Sequence, residues 1–382
     1  MSDREPPTID TGLSAIGVEA AERYYLASQW TLMRRRFTRH RLAIIGLAVL
    51  GLLYFVALFA EFFATQDIYR RDSDHLYAPP QRIRFMGEDG ISLRPFVYPW
   101  RVELDLETFR NRYAPDTSRK AYLRFFARGD EYELWGLFPS RIHLVGVDEG
   151  TTLFLFGADK FGRDNYSRSL YAARTSLSIG LVGVAIAFLL GCALGGVSGF
   201  FGGAADMAIQ RLIEFMQSIP QIPLWMALSA AVPRQWGPLQ VYLSITIILS
   251  LVGWTGLARV VRGKLLQLRE EDFVMAARIA GSTAPSIIVR HLLPSFLSFL
   301  IVSLTLSIPG MILGETALSF LGLGLRPPTV SWGVLLKEAQ NVRTIELHPW
   351  MMIPGLMVIV TVLCYNFVGD GLRDAADPYK SN

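Results

Sequence analysis

Apolar residues occur in long blocks along this chain, and polar residues rarely interrupt them. Six blocks reach roughly the 20 residues that an α-helix needs to cross a bilayer. The six predicted spans comprise residues 42–63, 173–197, 207–232, 239–257, 295–320 and 349–368. The pattern therefore predicts an all-α membrane protein with six transmembrane helices.

A long polar segment, residues 65–168, separates the first block from the second. Its acidic and basic residues nearly balance, and tyrosine, phenylalanine and tryptophan are frequent in it. Because disordered segments are poor in aromatic residues, we expect an ordered subdomain here. Long loops cross the membrane largely regardless of charge, so an external position is compatible with the balanced charge. We expect a mixed extracytoplasmic insertion between helices 1 and 2, whose fold the pattern does not specify.

Lysine and arginine residues beside the blocks predict the orientation, because cytoplasmic loops are enriched in them. Five arginines lie between residues 34 and 41, six basic residues lie between residues 259 and 290, and the short loop 233–238 has only Arg234. Both termini are therefore expected in the cytoplasm. The predicted organisation is a cytoplasmic N-terminal region (1–41), a first transmembrane helix (42–64), an extracytoplasmic subdomain (65–168), a core with five transmembrane helices (169–370) that includes a cytoplasmic loop (259–294), and a cytoplasmic tail (371–382).

Residues 18–37 carry aromatic and aliphatic side chains at a spacing near 3.6 among polar and basic residues. This spacing predicts an amphipathic helix. The helix either lies in the cytoplasmic membrane interface, with Trp30 at the level of the headgroups, or packs on the bundle as an ordinary extension. The sequence leaves both interpretations open.

Composition narrows the possible functions. Charged residues make up 18% of the chain, against about 25% in a typical soluble domain. The net charge of +4 agrees with basic cytoplasmic loops, and the basic residues form no continuous patch, so no nucleic-acid partner is expected. Cys192 and Cys364 lie inside apolar blocks and are expected to be buried thiols. No Cys/His spacing indicates a metal site, and no cofactor is expected.

The cytoplasmic loop 259–294 contains the most distinctive motif. Small residues at positions 276, 277 and 280 lie in a predicted short helix, Gly281 interrupts it, and a second short helix is expected before Pro294. Pro294 suits the first turn of the next span. Small side chains on an exposed rigid element allow another protein to approach closely.

The pattern Ala276-Ala277-x3-Gly281-x9-His291-x-Leu293-Pro294 resembles the cytoplasmic loop of bacterial ABC-importer permeases. Its ending is similar to that of the dipeptide, oligopeptide and nickel branch. In that family the loop forms the coupling helix that docks on the ATPase subunit. The resemblance assigns this role here to Asp272, Phe273, Met275, Ala276, Ala277, Arg278, Gly281, Ser282 and Thr283. Met275 replaces the usual glutamate, so the polar contact of that glutamate is not carried over.

Three further segments resemble the same branch in the same order, at residues 156–177, 318–333 and 369–378. The resemblance implies the second, C-type permease of a pair, in the bacterial inner membrane. It implies a heterodimer with another permease, two ATPase subunits, an extracytoplasmic substrate-binding protein, and import by alternating access. The cargo stays open among peptides, nickel, glycosides and opine-like compounds.

The chain lacks a phosphate-binding loop of the Walker A type. Its single Gly-Lys pair, Gly263-Lys264, precedes Leu265 and has no glycine at the required upstream position. We therefore expect a non-catalytic membrane subunit, with ATP hydrolysis on partner subunits.

Several residues within the spans are candidates for function. Gly191, Gly195 and Gly199 form a stripe of small residues, which indicates a tight helix seam that either moves during transport or packs statically. Pro220 should kink the third span, where it either lines a cavity or adapts the packing. Glu315 is an intramembrane acid that either contributes to gating and the substrate path or bonds to a neighbouring helix.

Two other classes of function compete with an importer subunit. A stand-alone secondary transporter usually has inverted repeats and ionisable residues near the midplane, whereas here repeats are not evident and buried charges are few. A membrane-anchored enzyme would use the external segment, but His75 and His143 are too sparse to define a site.

Overall fold

The computed structural model describes residues 29–87, 90–107, 110–147 and 151–376. Over these ranges the chain is mostly helical, with a sheet-rich region ahead of its longest helix. The helices are α1 (Gln29–Phe37), α2 (Arg41–Leu58), α3 (Ala60–Phe63), α4 (Asn165–Phe201), α5 (Gly203–Ser218), α6 (Gln221–Ala230), α7 (Pro238–Leu268), α8 (Asp272–Ile279), α9 (Ala284–Ile287), α10 (Leu293–Ser295), α11 (Leu297–Phe320), α12 (Trp332–Glu338), α13 (Val342–Leu347) and α14 (Ile353–Ala376). The strands are β1 (Arg84–Gly87), β2 (Gly90–Val97), β3 (Trp100–Asp105), β4 (Arg110–Pro115), β5 (Ala121–Leu134) and β6 (Phe138–Val147).

Five of the helices in the described ranges are long and apolar enough to cross a membrane. They are α2, α4, α7, α11 and the continuous segment Pro349–Ala376, which contains α14. They correspond to the first, second, fourth, fifth and sixth predicted spans, although α2 ends at Leu58, five residues before the predicted end, and α11 begins at Leu297, two residues after the predicted start.

The third predicted span, residues 207–232, is not one continuous helix. The structure has two shorter helices there, α5 and α6, and neither alone is long enough to span. Ile219 is extended, with φ −97° and ψ 129°, and Pro220 precedes the first residue of α6. A proline disfavours helical backbone in the residue before it and cannot donate an intrahelical hydrogen bond. Pro220 therefore breaks the helix, where a kink was expected.

Helix ends also extend beyond the apolar blocks. Helix α4 begins at Asn165 because the Asp164 carboxylate accepts hydrogen bonds from the N–H groups of Tyr166 and Ser167, at 3.2 and 2.8 Å. Helix α7 continues to Leu268, so residues 259–268 of the predicted loop are helical. Apolar composition marks the membrane-buried length of a helix and does not mark its polar ends.

The sheet-rich region occupies most of the polar segment 65–168. Strands β1, β2, β5 and β6 form an antiparallel sheet in the order β1-β2-β5-β6, and β3 pairs with β4 in a separate hairpin. Strands β5 and β6 pair along most of their length and are joined by a three-residue loop between Leu134 and Phe138. The described part of this segment ahead of α4 thus contains strands, the short helix Ser73–His75 and turns, so it is richer in strands than in helices.

The helical core forms where α4, α7, α11 and α14 pack together, with buried residues that include Leu177, Leu249, Ile312 and Val358. In the described part of the predicted amphipathic helix, Met33 is buried, and the Phe37 ring lies against Gly371 of α14. Residues 18–28 of that helix and residues 377–382 of the predicted tail lie outside the described ranges.

Candidate functional site

Helix α8 ends at Gly281 in a turn that reverses the chain. Gly281 has φ +80°, a conformation that favours glycine. The N–H of Ser282 donates to the carbonyl oxygen of Ala277 at 3.0 Å, and the N–H of Gly281 donates to that of Arg278 at 3.0 Å. These two bonds form a Schellman motif, which satisfies the last carbonyl groups of the helix. Helix α9 then starts after Thr283, so the structure shows the predicted helix, glycine turn and second helix.

One face of α8 packs inward against the bundle. Val274 is fully buried, and Ala277 is nearly so. They belong to a cluster with Val261 and Leu265 of α7 and with Leu292, which follows α9. Because protein interiors are close-packed, a displacement of α8 must also move the end of α7. Ala277 therefore belongs to the internal packing, and its side chain is not available as a docking surface.

The opposite face of α8 is exposed and mostly apolar, with Asp272 at its N-terminal end. The exposed fraction is 43% for Phe273, 46% for Met275 and 86% for Ile279. Residues three and four apart share a helix face, so Met275, Ala276 and Ile279 lie together. Several exposed apolar side chains grouped on a short helix indicate a contact surface. We name Phe273, Met275, Ala276 and Ile279 the outer face of α8.

The remaining residues assigned to the coupling role lie around this outer face. Asp272 and Thr283 are exposed, and Ser282 is half-buried beside the exposed Gly281. The guanidinium of Arg278 lies over the ring of Phe200, 5.1 Å from its centroid. Arg278 thus holds α8 against the end of α4. Ile279 was not predicted from the sequence as part of this surface. The signal that could have identified it is the spacing of Val274 and Ala277, which face inward and leave Ile279 on the outer side of the helix.

A charged pair joins the helix ends beside α8. The Arg262 guanidinium of α7 donates two hydrogen bonds to Asp206 of α5, from Nε at 2.5 Å and from Nη2 at 2.6 Å. The Ser198 hydroxyl of α4 bonds the same carboxylate. A bidentate arginine pair fixes geometry more tightly than a single contact does. The ends of α4, α5 and α7 are therefore linked at the base of α8.

The glycine stripe lies in the seam between α4 and α7. A Cβ atom at Gly195 would lie 2.5 Å from the carbonyl oxygen of Ala258, and one at Gly199 would lie 2.7 Å from that of Arg262. At Gly191 the nearest atoms belong to the Leu257 side chain, at 2.9 Å. The three glycines thus let two long helices approach at backbone distance within this chain.

Glu315 lies inside the bundle and is fully buried. Its carboxylate accepts hydrogen bonds from three hydroxyl groups, those of Ser176 at 2.9 Å, Ser319 at 2.8 Å and Ser331 at 2.7 Å. These bonds join α11 to α4 and to the turn before α12. The geometry favours the interpretation of a buried acid bonded to neighbouring elements.

Pro220 is exposed at the break between α5 and α6. Five residues later, Trp225 is buried against α11, where a Cβ atom at Gly314 would meet its ring at 2.9 Å. The break therefore separates α5 from a short helix that packs on α11.

A second buried network connects the start of α4 with α12. Arg168 donates from Nη1 to Asp159 at 2.5 Å and to Glu338 at 2.8 Å, and its Nη2 donates to Glu338 at 3.1 Å. Arg163 joins both acids, at 2.7 Å to Asp159 and 2.9 Å to Glu338. Two acids and two arginines balance in charge, as buried charges require. Glu338 was missed because 170 residues separate it from Arg168.

The pKa values in this region respond to burial and to charge. Burial acts to raise the pKa of Glu338, but the hydrogen bonds and positive charges of Arg168 and Arg163 outweigh it and lower the pKa from its ordinary value. Burial raises the pKa of Asp164, against hydrogen bonds from Ser167 and Thr65 that act in the opposite direction.

Two family descriptions match this chain. Residues 172–381 match the family described as binding-protein-dependent transport system inner membrane component. Residues 28–80 match the N-terminal TM domain of oligopeptide transport permease C. The first match includes the outer face of α8, the glycine stripe and Glu315, and the second includes α2.

Individual proteins are similar over most of the chain. The oligopeptide transport system permease protein OppC of Haemophilus influenzae is 39% identical over 83% of this chain and 98% of its own length. The dipeptide transport system permease protein DppC of Lactococcus lactis is 30% identical over 91% of this chain and 90% of its own length. A chain of the inward-facing MetNI methionine ABC transporter is similar in structure, with a TM-score of 0.41 and 19% identity over 53% of this chain and 93% of that chain.

Proposed function

The chain belongs to the family of binding-protein-dependent transport system inner membrane components, and from this premise we propose that it is the C-type permease of an ATP-driven peptide importer. The observation that supports its role most strongly is α8, a short helix held rigidly on one face and exposed as an apolar surface on the other. The family favours this role over a stand-alone secondary transporter, because its description names a binding protein as part of the system.

We propose that the outer face of α8 docks on an ATPase subunit. Interface centres are enriched in apolar and aromatic side chains, as this face is, and Asp272 adds one charge at its N-terminal end. In the family that the motif resembles, a glutamate is usual at the position of Met275. Docking of this chain therefore depends on apolar packing at that position. The chain itself is the non-catalytic member of the assembly, and its partner subunits hydrolyse ATP.

The inner face of α8 provides a route for force to reach the membrane helices. Val274 and Ala277 share a buried cluster with Val261 and Leu265 of α7, and the glycine stripe sets α7 directly against α4. When the ATPase subunits close, the motion of α8 tilts α7 and α4 together, which alternates access to the path between two permeases. The Asp206–Arg262 pair keeps α5 in the same moving unit.

The proposed topology has six crossings and both termini in the cytoplasm. Helices α5 and α6 together make the third crossing, and the chain breaks at Pro220 within it. Broken helices occur at membrane depth where protein covers the irregular backbone or where it lines a water-filled cavity; because Pro220 is exposed in this chain, the proposal places the break on the path between the two permeases. The β-sheets of segment 65–168 then lie outside, between the first and second crossings.

The proposed assembly contains a second, different permease, two ATPase subunits and an extracytoplasmic substrate-binding protein, in the inner membrane of a bacterium. The two relatives reported above carry names of oligopeptide and dipeptide systems. Peptides are therefore the cargo that we propose.

The proposal is tested by reconstituting the chain in proteoliposomes with the permease, ATPase and binding protein encoded beside it. We expect uptake of a labelled peptide that needs both ATP and the binding protein, and peptide-dependent ATP hydrolysis. Uptake by the purified chain alone, driven by an ion gradient, would contradict the proposal.

A further inference from the structure

The tip of the β5–β6 hairpin is unusually apolar for an exposed turn. Residues 134–139 read Leu-Trp-Gly-Leu-Phe-Pro, with no charged residue. Turns at protein surfaces are normally rich in Gly, Asn, Asp and Ser. The exposed fraction is 45% for Trp135, 72% for Leu137 and 59% for Phe138. We name Trp135, Leu137 and Phe138 the hairpin tip.

The hairpin tip lies beside the end of the first membrane helix. The indole Nε1 of Trp135 donates a hydrogen bond to the carbonyl oxygen of Leu58, at 2.8 Å, and its ring centroid is 5.3 Å from that of Phe59. Leu58 is the last residue of α2. The tip is therefore at the depth where α2 leaves the hydrocarbon region.

The surface of α2 next to this contact is apolar and exposed. Leu52, Phe55 and Leu58 are each more than half exposed, and α2 belongs to a segment that matches a family of TM domains. In a membrane helix such a face contacts lipid. The hairpin tip lies beside this face and extends the exposed apolar surface away from α2.

Trp135 adopts a backbone conformation that disfavours a bulky side chain. Trp135 has φ +55°, and the next residue, Gly136, has φ +70°. Left-handed backbone disfavours bulky residues, and turns that require it carry Asn or Gly at such positions. Such outliers gather at functional sites. Tryptophan is also the residue that membrane interfaces enrich, because its ring is apolar and its N–H is polar.

We infer that the hairpin tip inserts into the outer lipid interface beside α2 and anchors the external sheet to the membrane surface. The hydrogen bond from Trp135 to Leu58 fixes the depth of the tip in the membrane, while Leu137 and Phe138 contact acyl chains. The Arg141–Glu131 pair follows at the polar side, where both side chains are exposed. This anchor is independent of the coupling role of α8, since it uses neither α8 nor a partner subunit.

The test places a nitroxide label at Leu137→Cys in the full-length chain. Cys192 and Cys364, which are buried, are first replaced by alanine. The protein is reconstituted in phosphatidylcholine nanodiscs, and label relaxation is measured with oxygen, which concentrates in lipid, and with a water-soluble nickel chelate. Leu52→Cys on α2 is the lipid reference. Thr117→Cys, exposed in the turn ahead of β5 at the opposite end of the hairpin, is the aqueous reference.

We expect Leu137→Cys to resemble Leu52→Cys more than Thr117→Cys, with higher accessibility to oxygen and lower accessibility to the nickel chelate than the aqueous reference. High accessibility to nickel, as at Thr117→Cys, would show that the tip lies in water and would overturn the inference. Low accessibility to both reagents would show that protein covers the tip, and that result would overturn it as well.

Discussion

Tyr77 stacks on His348 with ring centroids 4.1 Å apart and planes within 6° of parallel. Tyr77 precedes the β-sheets, and His348 precedes the last membrane segment, so the stack joins the two regions. The N–H of Tyr77 also donates to the carbonyl oxygen of Asp159 at 2.9 Å. Tyr77 has φ +56°, a conformation that costs an L residue energy, so the ring contact offsets a strained backbone.

Replacing Tyr77 with alanine should loosen the sheet region from the bundle. The loss of an aromatic pair costs about 0.5–1.5 kcal/mol beyond the buried area. We expect a lower midpoint of thermal unfolding and faster proteolysis within residues 65–155. Tyr77→Phe keeps the ring and should behave as the wild type. Equal losses in both variants would assign the effect to the hydroxyl group and contradict this account.

Removing the Glu338 carboxylate should destabilise the protein strongly. Glu338→Ala leaves Arg168 and Arg163 buried with one acid for two positive charges, and breaking a buried pair costs about 3 kcal/mol or more. Glu131→Ala is the control, because its partner Arg141 is exposed and such pairs contribute at most about 1 kcal/mol. Chemical denaturation in detergent measures the free energy of unfolding of each variant. Similar values for the two variants would contradict the structural importance of the network.

The same carboxylate predicts a dependence of stability on pH. The pKa of Glu338 is lower in the folded protein than its ordinary value of 4.5. Its contribution to stability is therefore complete above pH 4.5 and is lost as the pH falls through the lower folded pKa. Asp164 has a raised pKa, so its contribution to stability has the opposite dependence on pH. Because Asp164 is present both in the wild type and in a Glu338 variant, its contribution cancels when these two proteins are compared.

The measurement is the free energy of unfolding of wild type and Glu338→Gln, from neutral pH down to about pH 3. The difference between the two proteins should be constant at higher pH and shrink in the acidic range. A difference that stays constant to the lowest pH would contradict the lowered pKa.

The glycine stripe predicts a steric effect at Gly195. A Cβ atom there would lie 2.5 Å from the carbonyl oxygen of Ala258, so Gly195→Ala must push α4 and α7 apart. Overpacking of this kind costs about 1–3 kcal/mol. Gly256→Ala is the matched control, since no atom lies within 4 Å of its added Cβ atom and alanine favours helix. Thermal unfolding should separate the two variants, and an equal midpoint would exclude a tight seam.

The spans could be predicted because membrane helices must be apolar, a property visible in a short stretch of sequence. The third span shows the limit, since Pro220 breaks the helix although the residues on both sides remain apolar. The strands were harder to predict from the sequence. Phe125 and Phe126 of β5 are both exposed in the structure, so the hairpin lacks the alternation that identifies a strand.

The helix–glycine–helix motif was visible because Gly281 and the small residues around it are local signals. The division of α8 into an inner and an outer face required the position of α7, which no local pattern supplies. The contacts of Glu338 and Glu315 depend on residues 170 and 139 positions away, so their partners appear only in the fold.

The central claim, that the outer face of α8 docks on the ATPase subunit, is tested most directly by the affinity between the two. Ile279→Asp and Ile279→Lys place either charge on this face without touching the buried Val274. Val289→Asp is the control, as an exposed apolar residue beyond the glycine turn. Both Ile279 variants should bind the ATPase subunit at least about tenfold more weakly than wild type, with Val289→Asp unchanged. Unchanged binding by both Ile279 variants would contradict the claim.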